Sequence, residues 1–91
     1  MFRIRVMISG DVQGVWFRVS AQDKANELDL TGWVKNLFSN AVEIIADGER
    51  DNLSTFAGWL QEGPPNATVN KISIEWEKID EKEFSSFEIH R

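Results

Sequence analysis

Residues 8–18 read Ile8-Ser9-Gly10-Asp11-Val12-Gln13-Gly14-Val15-Trp16-Phe17-Arg18. The chain changes its period across this stretch. Upstream, Phe2, Ile4, Val6 and Ile8 alternate with Arg3, Arg5, Met7 and Ser9, which predicts a half-buried strand. From Gly10 to Gly14 the alternation stops. Downstream, Ala21, Ala25 and Leu28 fall on one helical face while Asp23, Lys24 and Glu27 fall on others, which predicts a helix from Arg18 to Leu30. A strand, a glycine-containing loop and a helix start form the layout of an anion cradle. Loop N–H groups can converge, the helix N-terminus adds partial positive charge, and an arginine can close the site.

The remaining elements follow from the same two periods. Thr31-Gly32 resets the chain, and Trp33 to Leu37 reads as a second strand with Val34 inward. Phe38-Ser39-Asn40-Ala41 suits a tight hairpin, because Asn tolerates left-handed backbone angles. Val42, Ile44 and Ala46 share one face of a third strand, which Asp47-Gly48 is expected to end. Leu53, Phe56, Ala57 and Leu60 mark a second amphipathic helix, stopped by Gly63-Pro64-Pro65. Ile72, Ile74 and Trp76 alternate on a fourth strand. Asp80 to Glu83 reads as a charged turn, and Phe87 and Ile89 as a short final strand. The order βαββαβ with an added C-terminal strand predicts an α+β fold. It is a ferredoxin-like α/β sandwich, with two helices on one face of a mixed or antiparallel sheet.

Composition narrows the function classes. The 91 residues suit one domain, 1–91, and 42% of them are hydrophobic, an ordinary globular value. There are no cysteines, which excludes disulfides, thiolate metal sites and thiol nucleophiles. A net charge of −5 argues against a nucleic-acid partner. MFRIRVMISG has no apolar core of a signal peptide, and no run of about 20 apolar residues could span a bilayer. A cytoplasmic, membrane-free monomer is the expectation.

Two polar residues stand out. Arg18 opens a helix, where a cation is unfavourable unless an anion is near, and its guanidinium can hold phosphate oxygens in a bidentate fork. Asn36 lies within a strand, where Asn is depleted, and by alternation shares the face of Val34. Such an amide must be satisfied or used. From spacing alone, 8–18 equally suits an ordinary strand-to-helix turn, and Asn36 a hydrogen-bonded structural residue. His90 is the sole histidine, so no metal site is expected there, and the acidic run Glu75, Glu77, Asp80, Glu81 and Glu83 reads as solvated surface. Asn66-Ala67-Thr68 matches a glycosylation acceptor without a secretory context. Trp33 and Trp59 read as packing residues.

Gly10 to Arg18 and Gly32-Trp33-Val34-Lys35-Asn36, continuing through Val42 to Gly48, resemble the acylphosphatase family. The resemblance extends along nearly the whole chain, including Gly58-Trp59-Leu60. It implies hydrolysis of acyl phosphates, the mixed anhydrides of a carboxylic and phosphoric acid, to carboxylate and inorganic phosphate. Arg18 would bind the phosphate and Asn36 would position the attacking water. Asp11, Val12, Gln13, Gly14, Val15, Trp16 and Phe17 would form the phosphate-binding loop. No cofactor or metal is implied. The partners would be a small-molecule acyl phosphate and inorganic phosphate, the latter as product and competitive inhibitor. The family usually has glycine in the hairpin where Asn40 stands here, which implies a small stability effect and retained activity.

A carboxylate is a weak base and departs unprotonated, so this chemistry needs no general acid. That agrees with a loop lacking His, Cys or a carboxylate pair. The competing readings are a non-catalytic ferredoxin-like binding module, a stand-alone relative of acylphosphatase-like domains in larger carbamoyl-transfer proteins, and a sheet that binds single-stranded RNA. The acidic balance weighs against the last.

Overall fold

The computed structural model describes residues 1–14 and 16–90. Its elements are β1 (Phe2–Asp11), α1 (Phe17–Glu27), β2 (Thr31–Leu37), β3 (Ala41–Gly48), α2 (Arg50–Glu62), β4 (Thr68–Lys78) and β5 (Phe87–His90). They form one five-stranded sheet in the order β4-β1-β3-β2-β5. Every pairing is antiparallel except β2 with β5, which is parallel. This is the expected βαββαβ arrangement with its extra strand, and the sheet is mixed because of that strand.

The alternation of β1 sorts its side chains as read. Ile4, Val6 and Ile8 are buried under the helices, with Val34, Val42, Ile44 and Ala46 beside them. From α1 come Phe17, Ala21 and Ala25, and from α2 Leu53, Phe56, Ala57 and Leu60. Trp59 joins the layers: its ring lies 6.1 Å from Phe17 and 6.3 Å from Phe56, and Phe56 meets Phe87 edge-on at 6.1 Å. The first residue of α1 is therefore clamped by α2, which fixes where that helix begins.

Element ends depart from the pattern for local reasons. β1 runs through Gly10 to Asp11, across a register shift against β4 between Ser9 and Gly10. The shift breaks the alternation that would have revealed the extra residues. Gly10 has φ 135, and a Cβ there would collide with the Thr68 carbonyl oxygen, so only glycine fits. α1 ends at Glu27, earlier than the apolar pattern suggests, because Asp29 takes a left-handed turn at φ 56 that carries Leu30 into the core. The hairpin contains two left-handed residues, Ser39 and Asn40, at φ 65 and 56.

Asp47 does not end β3. It is fully buried and pairs across the sheet with Arg3. Arg3 Nε and Nη2 donate to its two carboxylate oxygens at 2.7 and 2.9 Å, and the Glu83 N–H donates to Oδ2 at 3.1 Å. The turn after β4 thus covers a charge pair on the sheet face opposite the helices. Hydrogen bonding to Asp47 is the main cause that pushes the Arg3 pKa up, beyond its already high ordinary value.

Candidate active site

The switch from β1 to α1 builds one side of a cavity of about 350 Å³. Val12, Gly14, Trp16, Phe17, Arg18 and Val19 line it from the loop and first helical turn, and Asn36 lines it from β2. Arg18 and Asn36, 18 positions apart in sequence, therefore face the same space. Val12 and Phe17 are buried, so the floor is apolar. Val19 was not anticipated. Nothing in its local sequence pattern marked it for the cavity.

The start of α1 has no acidic side chain of its own. Its N-cap, Trp16, makes no side-chain hydrogen bond to the helix. The first N–H groups of a helix have no intrahelical acceptor, so their partial positive charge is left for a ligand. α2 differs, with Asp51 in its first turn.

Arg18 is half-buried, and its Nη1 donates to the His90 carbonyl oxygen at 3.1 Å. Among the described residues it forms no ion pair, whereas Arg3 and Arg5 are taken by Asp47, Glu83 and Glu43. Its guanidinium is aimed by that bond, with no carboxylate of the described residues against it. β5 supplies that aim. His90 is held in turn by stacking on Trp33, ring centroids 5.4 Å apart.

Asn36 pairs with Val42 and shares the helix-facing side of β2 with Val34. Its Oδ1 is buried and, among the described residues, has no hydrogen-bond partner. An orphaned buried acceptor costs about 1–3 kcal/mol, so a group that donates to it would be bound with advantage.

The other loop residues take separate roles. Asp11 closes β1 opposite Thr68 with its side chain exposed, and it does not line the cavity. Gln13 does not line it either. Its Nε2 donates to the carbonyl oxygens of Leu37 at 2.7 Å and Ala41 at 2.8 Å, which ties the loop to both ends of the β2–β3 hairpin. Val15 lies outside the described residues. Gln13→Ala would leave two part-buried carbonyls unpaired, so we expect a loss of about 1–3 kcal/mol in denaturant unfolding. A drop in kcat should accompany it, because Asn36 and Arg18 lose their shared frame. Among the described residues, no group of three or more His, Asp or Glu side chains is arranged to hold a metal ion. Among the same residues no helix is long and apolar enough to cross a membrane.

The sequence model of the family described as acylphosphatase matches residues 4–89. An acylphosphatase of Coxiella burnetii is 50% identical over 86 residues, covering 94% of this chain and 88% of that protein. One from Methylococcus capsulatus is 42% identical over 91 residues, covering 100% and 98%. The crystal structure of acylphosphatase from Bacillus subtilis superposes with a TM-score of 0.93 at 34% identity, covering all of both chains. On the match that runs from the first buried residue of β1 to the last but one of β5, the chain belongs to the acylphosphatase family.

Proposed function

We propose that this cavity hydrolyses acyl phosphates, with Arg18 and the loop amides holding the phosphate and Asn36 holding the water. The observation that carries the reading is the buried Oδ1 of Asn36, without a hydrogen-bond partner among the described residues, lining the same cavity as the Arg18 guanidinium. An acceptor at that position can take one hydrogen of a water and turn the oxygen lone pair towards phosphorus. The water oxygen then bonds to phosphorus as the bond to the acyl oxygen breaks. The electron pair leaves with the carboxylate, and the water's proton passes to a phosphate oxygen.

Phosphoryl transfer rests mainly on positioning and on stabilising charge. Arg18 and the first-turn N–H groups would bind the equatorial oxygens more strongly as charge gathers on them. The leaving carboxylate needs no proton, so neither an acid nor a metal is required by this route. An alkoxide would need such help, which restricts the site to activated phosphates. The residues from 1 to 91 would act as one monomeric domain in the cytoplasm, with inorganic phosphate as product and competitive inhibitor.

The test is carboxylate and phosphate release from acetyl phosphate in the presence of a chelator. Turnover competitively inhibited by inorganic phosphate is expected. Asn36→Ala should lower kcat by about 10²-fold with KM little changed, because the amide acts on the attacking water. A change confined to KM would remove Asn36 from that role. A well-folded protein with no release would favour a binding module.

A further inference from the structure

The sheet face opposite the helices carries a second cavity, which shares no described residue with the first. It measures about 360 Å³, and its lining includes Met7, Ser9, Ser39, Ala41, Lys71 and Ser73. The strand register shows what sets it apart. Arg3 lies opposite Glu77 and Arg5 opposite Glu75, so these rungs of β1 and β4 match opposite charges. Met7 then lies opposite Ser73, and Ser9 opposite Lys71. From Ser9 the row continues across the sheet to Ala41 and Leu37, with no acid in it. Glu43, opposite Met7, is taken by Arg5 at 3.2 Å and Lys35 at 3.8 Å. Among the described residues Lys71 forms no ion pair. The hydroxyls of Ser9, Ser39 and Ser73 form no hydrogen bond among those residues either. The cavity therefore gathers one unmatched cation and three free hydroxyls, in a chain whose net charge is −5.

We infer that this second cavity binds a small monocarboxylate with a short apolar body. The donor set fixes the class. An ammonium offers three donors and each hydroxyl one, and bonds from a cationic donor to an anionic oxygen are the strong ones. One cation balances one negative charge. That suits a carboxylate and leaves the second charge of a phosphate dianion unmatched. Met7 and Ala41 add apolar surface, which a chain of a few carbons would cover and a bare inorganic ion would not. The volume is that of a small-molecule site. The site lies on the other face of the sheet from Arg18 and Asn36, so its occupation does not depend on the hydrolytic reading above.

The experiment titrates butyrate calorimetrically into the wild type, Arg18→Gln, Lys71→Gln and Lys71→Arg. Lys71 is exposed and holds no contact within the sheet that folding requires, so its variants stay folded. The wild type and Arg18→Gln should bind butyrate alike, with a Kd of about 1 mM. Lys71→Gln should bind about tenfold more weakly, and Lys71→Arg should keep most of the affinity because it keeps the charge. Acetate should bind the wild type roughly fivefold more weakly than butyrate, since it leaves the apolar surface uncovered. Inorganic phosphate should not bind Arg18→Gln. Loss of butyrate binding in Arg18→Gln with retention in Lys71→Gln would place the carboxylate in the first cavity and overturn the proposal. Equal binding by all four proteins, or none by the wild type, would overturn it as well. Phosphate bound by Arg18→Gln as tightly as butyrate would overturn the carboxylate assignment.

Discussion

Arg18→Gln is expected to lower kcat/KM for acetyl phosphate by about 10³-fold and to abolish measurable inhibition by inorganic phosphate. The magnitude follows from the role. A guanidinium that meets charge building on a transferring phosphoryl group is worth about 10³–10⁵ in rate. Gln keeps some hydrogen bonding but is shorter and loses the charge and the five-donor fork. The fold should survive, since Arg18 is half-buried and contributes one hydrogen bond to a carbonyl, about 1 kcal/mol. Arg18→Lys should recover only part of the activity, because an ammonium replaces the fork with a point charge. Steady-state kinetics with calorimetric phosphate binding checks both halves. A loss under tenfold, with phosphate binding intact, would remove Arg18 from the site.

The largest effect on stability should come from the opposite face of the sheet. Arg3→Met leaves the Asp47 carboxylate fully buried without its cation. Removing one partner of such a pair costs about 3–5 kcal/mol. In a domain of this length that lowers the midpoint of thermal unfolding by roughly 15 °C or more. The double change Arg3→Met with Asp47→Leu should recover most of the loss, because an apolar pair of similar volume removes the orphaned charge. If the double variant is no more stable than Arg3→Met, the cost lies in packing and not in charge. The pH dependence has a defined sign. A raised guanidinium pKa contributes stability below its unfolded value and loses it only as pH rises through the folded value. That window lies above the range in which proteins stay folded, so Arg3 itself confers no titration at neutral pH.

These residues also show how far the chain could be read in advance. β1 and α2 were legible because a clean period covers each of them. Arg18 and Asn36 were legible as candidates because each breaks a local preference, a cation at a helix start and an amide in a strand. Only the family resemblance paired them in advance; in the fold the C-terminal end of β2 lies level with the end of β1, Ile8 and Asn36 both pairing with Val42. Asp47 was illegible for the converse reason. Asp-Gly is a turn signature, and the arginine that keeps it inside the strand is 44 positions away. The side chain of Gln13 reads as one more loop residue until the hairpin carbonyls are known. The tether from His90 to Arg18 depends on β5, four residues long, pairing parallel to β2. No local pattern specifies that partner. Val19 needed the cavity itself.

The position of β1 between β3 and β4 has a consequence for how the chain folds. Neither neighbour is close in sequence, so β1 waits with both edges open while the 29 residues from Val12 to Asn40 separate it from its first partner. Pairings of such separation form slowly, and an unpaired apolar strand is then open to other chains. Arg3 and Arg5 interrupt that strand at alternate positions. Before any carboxylate reaches them, two unpaired positive charges make the same segment on a second chain repulsive. The arginine that later steadies Asp47 would thus also guard the nascent strand against aggregation.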